Sequence, residues 1–150
     1  MKKFIFPLAA LLLIAACNNS DSDKSGNSEN DIDAARNFIQ SALYNDFQKA
    51  RTYMLQDTPN LNQMAAIERI NLSEEEKKGL AGASIKIHNV NKINDSTTVV
   101  IYSNSYKNNQ DTLRVKRIAG KWLVDFDYIW NHDENALQPP PLLKTDSVSK

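Results

Sequence analysis

The chain has 150 residues, 41% of them hydrophobic and 24% charged, with 4 glycines and 5 prolines. This excludes a collagen-like, low-complexity or wholly disordered polymer and leaves room for one modest domain. The 18 basic and 18 acidic side chains cancel, so no net charge marks the chain for nucleic acid, and a single cysteine excludes an internal disulfide or a multi-cysteine metal site.

Lys2 and Lys3 open the chain, and an apolar run from Phe4 to Ala16 follows, broken only by Pro7. That run is too short to span a bilayer core of ~30 Å, which needs ~20 residues, and it fits the apolar stretch of a secretory signal peptide. It ends Ile14-Ala15-Ala16-Cys17, with two small residues directly before the sole cysteine. Read from the residues alone, this is a cleaved leader, an uncleaved anchor, or a secreted chain with a chance cysteine. Together the three features resemble a bacterial lipoprotein signal, whose lipobox is an aliphatic residue, two small residues and cysteine; Ile14 stands where leucine is commonest. The resemblance implies that residues 1–16 are removed and that Cys17 takes a diacylglycerol on its thiol and an acyl group on its freed amine. Each buried CH₂ adds ~0.8 kcal/mol and one chain holds only marginally, so two or three chains give lasting attachment. A lipidated thiol is neither a nucleophile nor a metal ligand.

Residues 17–30 form the lipidated cysteine and a spacer, Asn-Asn-Ser-Asp-Ser-Asp-Lys-Ser-Gly-Asn-Ser-Glu-Asn after Cys17, with no large apolar residue. Such a stretch has nothing to bury against its ordering entropy and reads as a flexible tether. Asn18, rather than Asp, follows the cysteine, which resembles the pattern of enterobacterial lipoproteins bound for the outer membrane. The Ser-Asp-Ser-Asp run resembles the acidic surface-export signals of other Gram-negative lipoproteins, and reads equally as an ordinary polar linker. Asp95-Ser96-Thr97, Asp111-Thr112-Leu113 and Asp146-Ser147-Val148 resemble a short bacterial O-glycosylation motif. At the other end, residues 133–150 contain Pro139-Pro140-Pro141 without Pro-x-x-Pro spacing and read as an extended tail. Residues 31–132 remain as the folded unit.

In that unit, Ile32, Ala35, Phe38, Ile39, Ala42 and Leu43 recur at steps of three and four, which predicts a helix from Asp31 to about Tyr44. Asn45-Asp46 interrupts the pattern; Phe47, Ala50, Tyr53 and Met54 resume it as a second short helix. Thr58-Pro59 reads as an N-cap and first helical residue of a third, carrying Leu61, Met64, Ala65 and Ile67. Ser73 with Glu76 is a capping-box pattern opening a fourth, which Gly79 or Gly82 ends.

Beyond Gly82 the period falls to two. Ile85 and Ile87 alternate with Ser84, Lys86 and His88; Thr97 to Tyr106 is rich in β-branched and aromatic residues; Leu113 and Val115 alternate with Arg114 and Lys116. In Lys121 to Trp130 the even positions are Trp122, Val124, Phe126, Tyr128 and Trp130. Turn signals at Asn94-Asp95, Lys107 to Gln110 and Ala119-Gly120 separate four strands. The expected fold is α+β, with N-terminal helices packed on a curved four-stranded antiparallel sheet. A sheet wrapped round a helix leaves a mouth, and Phe38, Phe47, Tyr102, Val124, Phe126 and Tyr128 are the candidate pocket residues.

The Ala-x-x-Phe-Ile-x-x-Ala-Leu helix from Ala35 to Leu43, the Asn-Asp-Phe after it, Ala50, and the closing Gly-Lys-Trp-Leu-Val-Asp from Gly120 to Asp125 resemble small envelope lipoproteins with a cystatin-like or nuclear-transport-factor-2-like cone. The resemblance spans about residues 31–130 and implies a fold, not an activity.

No phosphate loop, His-Glu-x-x-His motif or nucleophile elbow is present, so no catalytic residue, metal or cofactor is assigned. His88 and His132 lie far apart without companion ligands. Asp125 and Asp127 sit two apart on the predicted last strand, opposite the aromatic face, and read as solvated acids balanced by Lys116 or Lys121. Tyr44, Tyr53, Tyr102 and Tyr128 read as pocket donors or as core tyrosines with the hydroxyl at the rim. Trp122 reads as core; Trp130 is left open between core and exposed patch. The acid-then-base run from Glu74 to Lys78 matches a helix dipole. Two functions follow. One is a non-enzymatic envelope lipoprotein whose cone binds a small hydrophobic ligand or an envelope protein. The alternative is a lipid-anchored isomerase or dehydratase using a carboxylate and a Tyr in the cone. A buried carboxylate beside a Tyr, with room for substrate, favours the second; a cone filled by Phe38, Phe47, Val124 and Phe126 eliminates it.

Overall fold

The computed structural model describes residues 28–132. The leader, Cys17, the spacer through Asn27, the Asp146-Ser147-Val148 motif and the Pro139–Pro141 tail lie outside the described residues. Four helices, α1 (Asp31–Leu43), α2 (Phe47–Thr52), α3 (Thr58–Glu68) and α4 (Glu74–Ala81), precede an antiparallel sheet of β1 (Ile85–Asn94), β2 (Thr97–Asn104), β3 (Gln110–Ile118) and β4 (Lys121–Asp125). The strands lie in the order β1-β2-β3-β4, an open meander, and the fold is α+β.

Each helix begins on a side chain that takes up free backbone N–H groups. Asn30 caps α1, its Oδ1 accepting from Asp33 N at 2.9 Å while its Nδ2 donates to Asp33 Oδ2 at 2.7 Å. Ser28 is buried and accepts a 3.3 Å hydrogen bond from Asn37 Nδ2. The segment from Ser28 to Asn30 therefore lies against the folded unit. Asp46 caps α2 and Ser73 with Glu76 forms the expected capping box on α4. The cap of α3 is Asp57 rather than Thr58; the carboxylate accepts from Asn60 N, and Thr58 and Pro59 become the first two helical residues. Gly79 lies inside α4, and Gly82 is its C-cap. A Cβ at Gly79 would stand 2.2 Å from the Tyr106 ring, so the missing side chain lets the β2–β3 turn pack on the helix. Between α1 and α2 the chain reverses through Asn45, at φ 58, a left-handed position that Asn tolerates.

Helix α1 lies against all four strands. Its Ala34, Ala35, Phe38 and Ile39 bury against Val100, Leu113, Val115 and Val124 on one face of the sheet. The register places these strand residues opposite one another, Val100 with Leu113 and Val115 with Val124. Asp31, at the N-terminus of α1, is buried and accepts the Thr98 hydroxyl, which ties helix to sheet. The other face carries Arg114, Lys116 and Leu123, all partly exposed. Neither edge is left as a regular bare ladder. On β1 the pairing slips at His88, an irregular edge that resists addition of a further strand. Along β4, Val124 N donates to Tyr53 O and Val124 O accepts from Leu55 N, a single parallel bridge supplied by the α2–α3 connection.

The last strand departs from the sequence expectation. Alternation predicts one strand from Lys121 to Trp130; β4 instead stops at Asp125, and Phe126–Ile129 is a 3₁₀ turn. The cause lies in α3. Asn60, 1% exposed, accepts both Phe126 N and Asp127 N on its Oδ1, and its Nδ2 donates to Asp57 at 2.6 Å and to Asp125 at 3.3 Å. Two successive backbone donors are thus drawn onto one side-chain oxygen, and the chain curls. As a result Asp125 and Asp127 do not share a solvated face. Asp125 is buried, at 5% exposure, with Arg114 Nη2 at 2.7 Å and Lys116 Nζ at 2.8 Å from its Oδ2. Of the two lysines offered as partners, Lys116 makes the pair. Asp127 stays partly exposed and accepts from Gln63 and Asn131. Burial raises the cost of the Asp125 charge, but hydrogen bonds from Lys116 and Arg114, with their charges, outweigh it and hold the carboxyl below its usual range.

Replacing Asn60 by Ala strands two backbone N–H groups and is expected to cost about 2–4 kcal/mol in urea unfolding. Asp125→Asn leaves Arg114 and Lys116 facing a neutral amide. Because both cations keep a third of their exposure, the expected loss is about 2–3 kcal/mol, below the full range for a buried pair. A depressed folded pKa contributes stability that is present above the unfolded value of ~3.9 and is lost as pH falls through the folded one. The deficit of Asp125→Asn relative to wild type should therefore shrink as unfolding is measured at successively lower pH below about 4.

Candidate functional site

Between the second half of α1, the α3–α4 connection and the end of the sheet where β2 turns into β3 lies a cavity of about 350 Å³. Its size falls in the range of small-ligand sites. Phe38, Ile39, Ala42 and Leu43 form the α1 wall, Phe47, Ile67, Leu72 and Leu80 come from the other helices and their connections, and Phe126, Ile129 and Trp130 come from the 3₁₀ turn. It opens past Ile70, 58% exposed, and Trp130, 48% exposed. Trp130 stands edge-on to Phe126 at 4.9 Å between ring centroids, and Phe126 packs on Phe38 at the same distance. This aromatic row runs from the core to the mouth.

Of the six residues anticipated for a pocket, Phe38, Phe47, Tyr102 and Phe126 lie on this wall. Val124 and Tyr128 do not. Val124 is sealed between Val115 and the Met54 bridge. Tyr128 is turned away by the 3₁₀ turn, its ring 4.3 Å beneath the Arg114 guanidinium and stacked on His132. Of the other aromatic residues considered, Tyr44 is exposed, Tyr53 is buried and Trp122 is partly buried at the core margin. Trp130, left open by the sequence, sits at the mouth.

One end of the cavity is polar. Tyr102 and Asp111 are direct partners across β2 and β3, and Asn104 lies two residues further along β2 on the same face. Lys107, in the turn, stands at the rim. Burial, and secondarily the Asp111 charge, push the Tyr102 hydroxyl well above the usual tyrosine range. Burial also raises Asp111, against a smaller opposing effect of Lys107. Sequence reading looked for a carboxylate beside a Tyr at Asp125 and Asp127 and passed over Asp111. The signal was present: Asp111 begins the alternation that continues in Leu113 and Val115, so it shares their inward face.

Elsewhere, His88 Nε2 and Ser103 Oγ share a 2.8 Å hydrogen bond on the outer sheet face, and His132 Nδ1 donates to Tyr128 O at 2.6 Å. Among the described residues no three His, Cys, Asp or Glu side chains gather as a metal site, and no helix is long and apolar enough to cross a membrane. Ser96, of the first glycosylation-like motif, is exposed in the β1–β2 turn, and Thr112 is a partly exposed residue of β3. Comparison of the chain with protein-family models, with curated proteins and with solved structures finds no match.

An acid whose folded pKa is raised costs stability as pH climbs from the unfolded value through the folded one. Asp111→Asn should remove that cost. At pH 7 a rise in Tm of about 1–2 °C is expected, small because the group is half-solvated, and no difference from wild type at pH 3. Differential scanning calorimetry at the two pH values checks the sign.

Proposed function

We propose that this chain is a lipid-anchored protein of the bacterial cell envelope, held at the outer membrane through acyl groups on Cys17, and that its domain binds a small, mostly apolar ligand in the cleft without transforming it. The observation that carries the binding reading is the cavity itself: Phe38, Phe47 and Phe126 line about 350 Å³ that they do not fill, with Tyr102, Asn104 and Asp111 gathered on one wall. A concave site of that shape suits a small molecule better than the flatter face of an envelope protein. Of the lining residues, Asp111 is the one acid, and none is His, Ser or Cys, so the commonest nucleophile–base pairs are missing from this wall. The basic start, apolar run and lipobox ending at Cys17 support the anchor.

Binding is tested with N-phenyl-1-naphthylamine, a neutral probe that brightens in apolar sites. Saturable brightening is expected in wild type. Ala42→Phe, which places a ring in the cavity, should weaken it at least ~10-fold without lowering Tm by more than ~5 °C. Fatty-acid labelling of cells should mark wild type and not Cys17→Ala; equal label in both removes the anchor.

One observation favours a second reading, an isomerase or dehydratase. Asp111, with its raised pKa, lies beside Tyr102 where a substrate would fit. Exchange of α-protons for deuterium in a bound ketone, abolished by Asp111→Asn, would establish it; retention of those protons on long incubation leaves binding alone.

A further inference from the structure

The polar end of the cleft is a donor-rich patch whose charges offset each other. Tyr102 is 8% exposed, and among the described residues its hydroxyl makes no hydrogen bond. Asn104 is 7% exposed; its Oδ1 is occupied by Tyr106 N at 3.1 Å and Lys107 N at 2.9 Å, so the oxygen is fixed in the turn and the Nδ2 is left without a partner among the described residues. None of the buried polar atoms of the described residues is sealed off without a partner, so neither of these two donors is completely sealed. Cross-strand register sets both on the face that lines the cavity, beside Asp111. The two charged neighbours have opposite sign, Asp111 on the wall and Lys107 at the rim.

Each ionic head group meets a mismatch here. A carboxylate would enter next to the Asp111 carboxylate in a partly desolvated cleft, where like charges repel strongly. An ammonium would leave water for a wall of Phe and Leu side chains, with one half-solvated acid as partner and Lys107 close by. A neutral oxygen meets no such penalty. It accepts from the Tyr102 hydroxyl and the Asn104 amide, and a hydroxyl also donates to Asp111. Resting on the reading of the cleft as a ligand site, we infer that its polar end selects an uncharged oxygen head, an alcohol or carbonyl, at one end of an apolar chain or ring.

The test uses the anchored chain in detergent and its Cys17→Ala form, with three probes of one chain length: 1-octanol, octanoate and octylamine. Each competes with N-phenyl-1-naphthylamine at pH 7. Octanol is expected to displace the dye at least ~5-fold more effectively than either charged probe. Tyr102→Phe, which keeps the ring and removes only the hydroxyl, should weaken octanol about 5–10-fold relative to the dye affinity measured on the same variant, the loss of one hydrogen bond from a buried donor. Circular dichroism and Tm of Tyr102→Phe, which keeps the ring, guard against a folding artefact. If the dye binds but the three probes compete equally, or a charged probe competes best, the head-group inference is overturned and the binding cleft stands. If octanol wins but Tyr102→Phe leaves it unchanged, the selecting group is not Tyr102 and the inference as stated fails. If the dye does not bind at all, the cleft reading falls and takes this one with it.

Discussion

The side chain on which the domain's shape turns is Asn60. From one position in α3 it holds the backbone of Phe126 and Asp127, at the start of the 3₁₀ turn, and the carboxylate of Asp125 together. A side-chain amide has one acceptor oxygen and two donor hydrogens, and here all of them are engaged in the buried interior. Partial satisfaction would be worse than an apolar residue, because a stranded buried donor or acceptor keeps its full desolvation cost. The network therefore has one arrangement at which it is stable, and that arrangement ends β4 at Asp125. Everything beyond, from the position of Phe126 to that of Trp130, follows from where the strand is made to stop.

Two aspartates show how far environment outranks residue type. Asp125 is the more deeply buried, yet its carboxyl is held below the usual range because two cations converge on it. Asp111 is less buried but has only Lys107 acting for its charge, and its carboxyl is raised. The difference divides the domain's acids by role. The paired one is a structural fastener between β3, β4 and α3. The underpaired one sits on a cavity wall, where an unsatisfied group has something to gain from a ligand.

What the sequence discloses about this fold is what depends on near neighbours. The α1 face from Ile32 to Leu43 repeats at helical spacing within 12 residues, the capping box needs only Ser73 and Glu76, and the three turns are marked by adjacent polar residues at two places and by Ala119-Gly120 at the third. The end of β4 is illegible by the same route. Its alternation continues unbroken to Trp130, and the residue that overrides it stands 66 positions earlier. Asp57 and Thr58 are both good caps, and which one serves is decided by the reach of the Asp57 carboxylate to Asn60. For the cavity, Phe38, Phe47, Tyr102 and Phe126 were accessible as large residues on inward faces. Val124 and Tyr128 carry the same local signature and end elsewhere, one because the α2–α3 connection bridges to β4, the other because the 3₁₀ turn rotates it under Arg114.

The cavity is a consequence of that turn. Had the strand run on to Trp130, Phe126, Tyr128 and Trp130 would have projected in line from one extended ribbon at intervals of ~7 Å. In the 3₁₀ turn they diverge: Phe126 goes inward onto Phe38, Tyr128 goes to the outer sheet face, and Trp130 comes back over Phe126. One aromatic residue is thereby withdrawn from the inner side and another is moved to its margin. On the opposite wall α1 presents Ala42, too small to reach across. A core built from these residues alone would gain from closing the gap, since a void forfeits contacts that dispersion would otherwise supply. Filling the gap from the side of the 3₁₀ turn would require that turn to unwind, and the turn is held by hydrogen bonds to Asn60. Shape at the candidate site is thus set by a polar network outside it rather than by packing within the apolar wall.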